Sequence, residues 1–488
     1  MRLILAFMLL LQPLSAQGEE NLEAAVRRLI EVYSLVEQQY ADPIDPEQVF
    51  YQGALPGMLQ TLDPHTAFLD PEQFASLKQM QTSVEKGFGS VVSLLPGRVI
   101  VLQTLPDSPS ARSGLSAGDE IVGLNGYSLS QLSVEQLIAL LGQSKQERAQ
   151  LMVKRPGIAR LMPMTLVPAE MADPSVPRVF PLRSGIGYIK VGSFEGPTAA
   201  DLRQAIEDLG GRQLKGLVLD LRGNPGGIVE AALQSASFFL QPGQRILWIR
   251  AREGPQEEVT VPAGARPYEF PLCVLIDQST ASSAEIVAGA LQDHDRATII
   301  GLPSFGKGIV QSVFDLSEGT AVALTTAKYL TPSGRSIQKP LENCQMYALL
   351  SCEEGGGEFK TDQGRTVHSG GGITPDQIVT ARAYTRFETV MEATNSFFEF
   401  AQRYLESHPN IDQNFEVPAD ILDDFQLFLS ERRIRPDLSE WSLTLDFIRK
   451  RLKQEVFNLK FGVAKGDEVE VMLQPPVLAA LKVLETSK

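Results

Sequence analysis

The chain has 488 residues, too many for one hydrophobic core and enough for two or three domains. Hydrophobic residues make up 43% and charged residues 21%, the composition of a soluble globular protein. A formal net charge of −15 excludes nucleic acid as a partner, because that role needs a basic face.

In chain order, Met1-Arg2 is followed by an apolar run over residues 3–11 and by small residues ending at Ala16. A basic start, a short apolar core and small residues before Gln17 describe a cleavable secretory signal over residues 1–16. The run is too short for an ordinary transmembrane helix, so the expected location is periplasmic or extracellular. An uncleaved membrane anchor is the competing reading.

Residues 17–80 read as helical, with apolar residues at helical spacing through Leu29, Val32, Leu35 and Val36. Leu62-Asp63-Pro64-His65-Thr66 breaks that pattern, and Pro71 after Asp70 starts another helix. Residues 86–169 form a β-rich module of short apolar runs separated by Pro96-Gly97, Gly118-Asp119 and Asn125-Gly126 turns.

Over residues 181–379 strands and helices alternate, as in an α/β core. Leu217-Val218-Leu219-Asp220 and Cys273-Val274-Leu275-Ile276-Asp277 are apolar runs ending in Asp, as buried strands do. Each leads through a Gly- or Ser-rich turn into a helical pattern, and ligands of such sheets bind beyond the carboxyl ends of the strands. Residues 380–488 are helical, with stretches at 387–405, 419–433 and 441–459. Of three cysteines, Cys273 belongs to a buried strand, and Cys344 and Cys352 are close enough in sequence to pair in an oxidising compartment.

The turn after the second buried strand carries Thr280-Ala281-Ser282-Ser283-Ala284-Glu285. A serine at such a junction is exposed, with helix N-terminal N–H groups beside it that suit a developing oxyanion. Helix capping explains the same serine equally well. Twenty-five residues later Lys307 stands between Gly306 and Gly308 among apolar side chains. Desolvation lowers a lysine's pKa, and a neutral amine serves as a general base toward a hydroxyl. A solvated charge in a glycine turn is the plainer reading. The earlier turn, Asp220-Leu221-Arg222-Gly223-Asn224-Pro225-Gly226-Gly227, has no phosphate-binding spacing but suits a second oxyanion donor.

These motifs together resemble the carboxyl-terminal processing peptidases, the tail-specific serine proteases. Further matches are Phe305-Gly306-Lys307-Gly308 with Gln311, Thr331-Pro332-Ser333-Gly334-Arg335-Ser336-Ile337-Gln338, Gly372-Ile373-Thr374-Pro375-Asp376 and the upstream Leu62 to Thr66 turn. The resemblance implies a multidomain α/β protein: a crotonase-like serine protease core, an inserted PDZ domain, a helical N-terminal region and a helical C-terminal region. It implies Ser282 as nucleophile, Lys307 as general base and Gln311, one helical turn beyond if that segment is helical, as the group that orients the lysine. Gly227 and Ser283 would supply the oxyanion hole. The family often has Ser-Ala-Ser-Glu where this chain has Ser282-Ser283-Ala284-Glu285, which leaves Ser283 as the fallback nucleophile.

The β-rich module resembles a PDZ domain, with Gly87-Phe88-Gly89-Ser90 at the loop that receives a terminal carboxylate. In relatives an arginine like Arg155 couples this domain to the active site. The implied partners are protein substrates held by their C-terminal tails, with a homo-oligomer possible and no cofactor, metal or nucleic acid. Two rivals are weaker. A Ser-His-Asp hydrolase has four histidines to draw on, of which His294 falls within the helical run after Ser282. A catalytically silent PDZ scaffold in the cell envelope would be marked by loss of Ser282 or Lys307, and both are present.

Overall fold

The computed structural model describes residues 16–486 apart from 81–83, 96, 106, 146–147, 156–157, 173, 184, 253, 340–356 and 381. The expected signal segment, save its last residue, and the Cys344 and Cys352 pair lie outside the described residues.

The N-terminal region begins with α1 (Ala16–Gln39), followed by a π-helical turn (Gln48–Ala54) and α2 (Leu55–Gln60). Asp63 then turns the chain by accepting the N–H groups of His65 and Thr66, and a short strand β1 (Ala67–Leu69) follows. That strand has no alternating pattern to announce it; it forms because it pairs antiparallel with residues 321–323. Helix α3 (Pro71–Met80) starts at the proline, and Asp70 Oδ1 accepts the N–H of Gln73 at 2.8 Å, as an N-cap does.

The β-rich module comprises β2 (Val84–Gly87), β3 (Ser90–Leu95), β4 (Arg98–Thr104), the short α4 (Pro109–Arg112), β5 (Glu120–Leu124) and β6 (Tyr127–Ser128). It continues with α5 (Val134–Ser144), β7 (Ala149–Lys154), β8 (Met162–Leu166) and β9 (Ala169–Ala172). Its sheet runs β3-β4-β5-β7-β8, so among the described residues β3 is an edge with free backbone groups on one side. Strand β7 alternates buried and exposed residues, and Ala149, Leu151 and Val153 join Val99, Val101, Ile121 and Leu137 in the module's own core.

The α/β core contains β10 (Arg178–Arg183), β11 (Ile186–Lys190), α6 (Thr198–Asp208), β12 (Gly216–Asp220) and α7 (Val229–Ser237). Then come β13 (Arg245–Ala251), β14 (Glu257–Thr260), β15 (Leu272–Ile276), α8 (Ser283–Asp293) and β16 (Thr298–Gly301). Next are β17 (Ile309–Asp315), β18 (Ala321–Leu330), the hairpin β19 (Glu358–Lys360) and β20 (Thr366–His368), and β21 (Gln377–Ile378). One sheet runs β10-β11-β12-β15-β16-β21, parallel throughout except for the edge strand β10. Strands β12 and β15 are buried along their whole length, because helices cover both faces. A second, antiparallel sheet joins β1, β18, β13 and β14, with β17 pairing β18.

The described part of the 339–371 excursion is the β19–β20 hairpin, pinned to the core by Arg365 on Asp295 and by Asp362 on the His294 ring. The second ring nitrogen of His294 bonds to the carbonyl oxygen of Arg245, so this histidine is committed to structure.

The C-terminal region is helical: α9 (Arg386–Ala393), α10 (Ser396–Ser407), α11 (Ala419–Glu431), α12 (Leu438–Phe461), α13 (Val463–Val471) and α14 (Pro475–Thr486). The expected single helix over 387–405 is two helices, because Asn395 takes a left-handed conformation (φ 53°) that ends the first and starts the second. Helix α14 packs Val477, Ala480, Leu481 and Leu484 over Val218, Cys273 and Leu275, so the tail completes the core of the parallel sheet.

Candidate active site

Three turns converge beyond the carboxyl ends of β12, β15 and β16. In the first, Asn224 is fully buried; its side chain donates to Val191 and accepts the N–H of Gly226, while its carbonyl accepts the N–H of Ala281. The glycine loop is thereby stapled to the serine turn. Glycine is required there: a Cβ on Gly226 would lie 2.8 Å from Ser282 Cβ, and one on Gly227 (φ 136°) 2.0 Å from the carbonyl oxygen of Phe194.

Ser282 itself sits at φ 54°, ψ −117°, a strained conformation for a residue with a side chain, immediately before α8. Its N–H is spoken for by Glu285 Oε2 at 2.8 Å. The N–H groups of Gly227 and Ser283 donate to no other group among the described residues. The Ser283 hydroxyl is buried and donates to the Gly227 carbonyl at 2.7 Å, which argues against its service as a nucleophile.

Lys307 leads into β17 from the third turn. Sequence reasoning made the Gln311 role depend on a helix; the segment is instead a strand. The two side chains still meet, with Lys307 Nζ donating to Gln311 Oε1 at 2.8 Å, and the register of β17 on β18 slips between Val310 and Gln311. Gln311 Nε2 donates in turn to the carbonyl of His65 at 2.7 Å. Burial pushes the Lys307 amine below its ordinary pKa, against the opposing pull of the Glu285 charge. Burial likewise lowers His65, and the Lys307 charge adds to that effect.

Two residues that sequence reasoning left without a role hold the serine and lysine in register. Glu285 is fully buried, and its carboxylate accepts the N–H groups of Ser282, Gly306 and Lys307 and the hydroxyl of Ser304. Burial raises its pKa, and those donors oppose the rise. From the opposite side, the buried Tyr329 hydroxyl lies 2.5 Å from the Lys307 carbonyl and 3.1 Å from that of Ser282. The signal for Glu285 was present in the capping spacing Ser282-x-x-Glu285. Tyr329 had none.

A model of peptidase family S41 matches residues 185–342, and a PDZ domain model matches residues 79–154. The carboxy-terminal-processing protease of Bartonella bacilliformis is 33% identical over 331 residues, 67% of this chain and 76% of that protein. The chain belongs to the carboxy-terminal processing proteases of peptidase family S41, and it is a serine-type peptidase. The family member CtpA of Bacillus subtilis is 32% identical over 64% of this chain and 66% of its own length. Among solved structures, a photosystem II D1 C-terminal processing protease is 26% identical, with a TM-score of 0.42, over 72% of this chain and 86% of that one.

In the PDZ domain of this S41 peptidase, Gly87-Phe88-Gly89-Ser90 links β2 to the edge strand β3. Gly89 takes φ 68°, and its carbonyl accepts Leu105 N–H at 2.8 Å and the Ser108 hydroxyl at 3.1 Å. Arg155 makes a two-pronged ion pair with Asp119, both bonds 2.7 Å, and donates to the Gly114 carbonyl. Among the described residues all its hydrogen bonds stay inside the PDZ domain. The cavity beside it, about 400 Å³, is closed by Gln402 and Leu405 of α10 and Leu459 of α12, not by the turns around Ser282.

Proposed function

We propose that the chain is an exported endopeptidase that cleaves protein substrates recognised at their C-terminal ends, with Ser282 and Lys307 as a catalytic dyad. The supporting core is crotonase-like in this reading, with the PDZ domain inserted before it. Neutral Lys307 takes the proton of the Ser282 hydroxyl as Oγ attacks the scissile carbonyl carbon. The carbonyl π pair moves to oxygen, which the N–H groups of Gly227 and Ser283 receive. Collapse expels the amine of the downstream product, which takes the proton back from Lys307. Water, deprotonated by the same amine, then releases the acyl group as a carboxylic acid and restores Ser282.

The observation that carries this reading is one carboxylate, Glu285, bonded to the backbone of both Ser282 and Lys307, with two N–H groups beside the serine that are uncommitted among the described residues. No helix among the described residues is long and apolar enough to cross a membrane; the export part of the reading rests on residues 1–16. The open edge of β3 beside Gly87 to Ser90 suits an added peptide strand whose terminal carboxylate meets the loop.

The test uses residues 17–488 and an unfolded protein with an apolar C-terminus, alongside Ser282→Ala and Lys307→Ala. Loss of about three decades of rate in each variant supports the dyad. Cleavage that survives Lys307→Ala removes the proposed base, and an inert wild type with every PDZ ligand tried favours the scaffold reading.

A second expectation concerns self-association. On α1, Leu22, Val26, Leu29, Tyr33 and Val36 follow a 4-3-4-3 spacing, and all but Tyr33 are exposed. That is the apolar seam of a coiled coil, which a second copy of the chain would cover. Sedimentation of wild type against Leu29→Glu/Val36→Glu decides it: a mass halved by the substitutions supports the dimer, and an unchanged monomer ends it.

A further inference from the structure

The amide of Gln311 has two orientations of the same shape, differing only in which end carries the N–H groups. One end lies 2.7 Å from the backbone carbonyl of His65 and the other 2.8 Å from Lys307 Nζ. A backbone carbonyl can only accept, so the end facing His65 must be Nε2, and Oε1 is then turned to the lysine.

That orientation matters to the lysine. A neutral amine has two N–H groups and one lone pair; giving an N–H to Gln311 Oε1 leaves the lone pair uncommitted. The flipped amide would set two carbonyl-type oxygens face to face at His65. It would also aim an N–H at Lys307, competing for the lone pair that must take the Ser282 proton.

The His65 carbonyl is itself held by a compact device. Asp63 is buried; its Oδ1 accepts the N–H groups of His65 and Thr66, and its Oδ2 accepts the Thr66 hydroxyl, each at 2.8 Å. Thr66 Oγ1 in turn accepts the N–H of Thr325, and the following β1 pairs with β18. The turn is therefore anchored to the same strand that bears Tyr329. It lies outside both segments matched by the family models, residues 79–154 and 185–342.

We propose that the Asp63–Thr66 turn of the N-terminal region is a positioning element for the general base: the His65 carbonyl fixes the amide of Gln311, which keeps the Lys307 lone pair open toward Ser282. The inference rests on the dyad reading above. It gives the N-terminal region a part in catalysis, since the base is incompletely oriented until that turn docks.

The experiment is a double-mutant cycle in residues 17–488, with kcat and KM measured separately on the unfolded protein substrate and thermal melts recorded for every variant. Asp63→Ala should lower kcat by about 10- to 100-fold, a loss of orientation, with KM within about threefold. Asp63→Asn should recover most of that loss, because its Oδ1 still accepts both N–H groups. In a Gln311→Ala background, Asp63→Ala should cost less than about threefold, since its effect travels through Gln311. Full multiplication of the two losses, or a kcat for Asp63→Ala within about twofold of wild type, overturns the proposal. If Asp63→Ala does not fold, Thr66→Ala carries the same cycle with the same criterion. Ser282→Ala and Lys307→Ala run in parallel: an active Lys307→Ala brings down the dyad itself, whereas inactive dyad variants with a multiplicative cycle bring down only this inference.

Discussion

Glu285 Oε2 accepts the backbone N–H of Lys307 at 2.9 Å, and the same oxygen accepts that of Ser282 at 2.8 Å. The separation of Ser282 and Lys307, the proposed nucleophile and base, is thus set by a buried side chain. Removing it leaves three backbone N–H groups and the Ser304 hydroxyl without an acceptor, and each orphaned donor costs about 1–3 kcal/mol. Glu285→Ala should lower the melting temperature by several degrees or more and abolish measurable cleavage. Wild-type melting and turnover would contradict the clamp.

Tyr329→Phe is a gentler probe of the same geometry, since it keeps the buried ring and removes the hydroxyl that bonds the Lys307 and Ser282 carbonyls. A single hydrogen bond contributes about 0.5–1.5 kcal/mol, so the melting temperature should move little. The expected effect is on kcat, lower by about tenfold, with KM held, because the loss is one of alignment.

The pH profile follows from the lowered pKa of Lys307. In the proposed mechanism the amine acts when neutral, so kcat/KM should rise with pH and level off as Lys307 loses its proton. The midpoint should lie below the ordinary lysine value of about 10.4. Gln311→Glu places a carboxylate at the lysine's acceptor position, favours the protonated amine, and should move the midpoint upward. A midpoint that moves down, or not at all, would separate Gln311 from the base.

Gly227→Ala tests the oxyanion loop. Its Cβ would collide with the Phe194 carbonyl at 2.0 Å, and the residue would keep a φ of 136° that side chains resist. The loop must shift, carrying the Gly227 N–H away from Ser282. A loss of about 100-fold or more in kcat is expected, the scale of one lost oxyanion donor. Binding of an apolar C-terminal peptide to the PDZ domain, read by fluorescence anisotropy, should be unchanged.

The PDZ domain meets the C-terminal helices through alternating charges: Arg98 bridges Glu120 and Glu399, and Arg432 bonds Glu399 from the other side. Gln103 Oε1 adds an acceptor for the first N–H of α13. These side chains are partly exposed, so the contact should be modest and weakened by salt. Arg98→Ala should raise hydrogen exchange in β4 and β5 at low salt, and the difference from wild type should shrink in 1 M salt, where the Debye length is about 3 Å.

Much of this molecule could be read along the chain. Buried strands β12 and β15 announced themselves as continuous apolar runs because helices cover both faces, and the Ser-Gly turns after them marked the site. The S41 and PDZ assignments rested on contiguous motifs of the same kind. Such features are local: burial, capping and turn chemistry each leave a short signature. The strand β1, the extended course of Lys307 to Gln311 and the roles of Tyr329 and His65 left none. They depend on partners far along the chain, 246 residues away in the bond from Gln311 to His65. A hydrogen bond between a side chain and a distant carbonyl imposes no periodicity on either segment. Only the folded chain, by bringing β17, β18 and the 62–66 turn together, decides which way the Gln311 amide faces and hence where the lysine lone pair is left free.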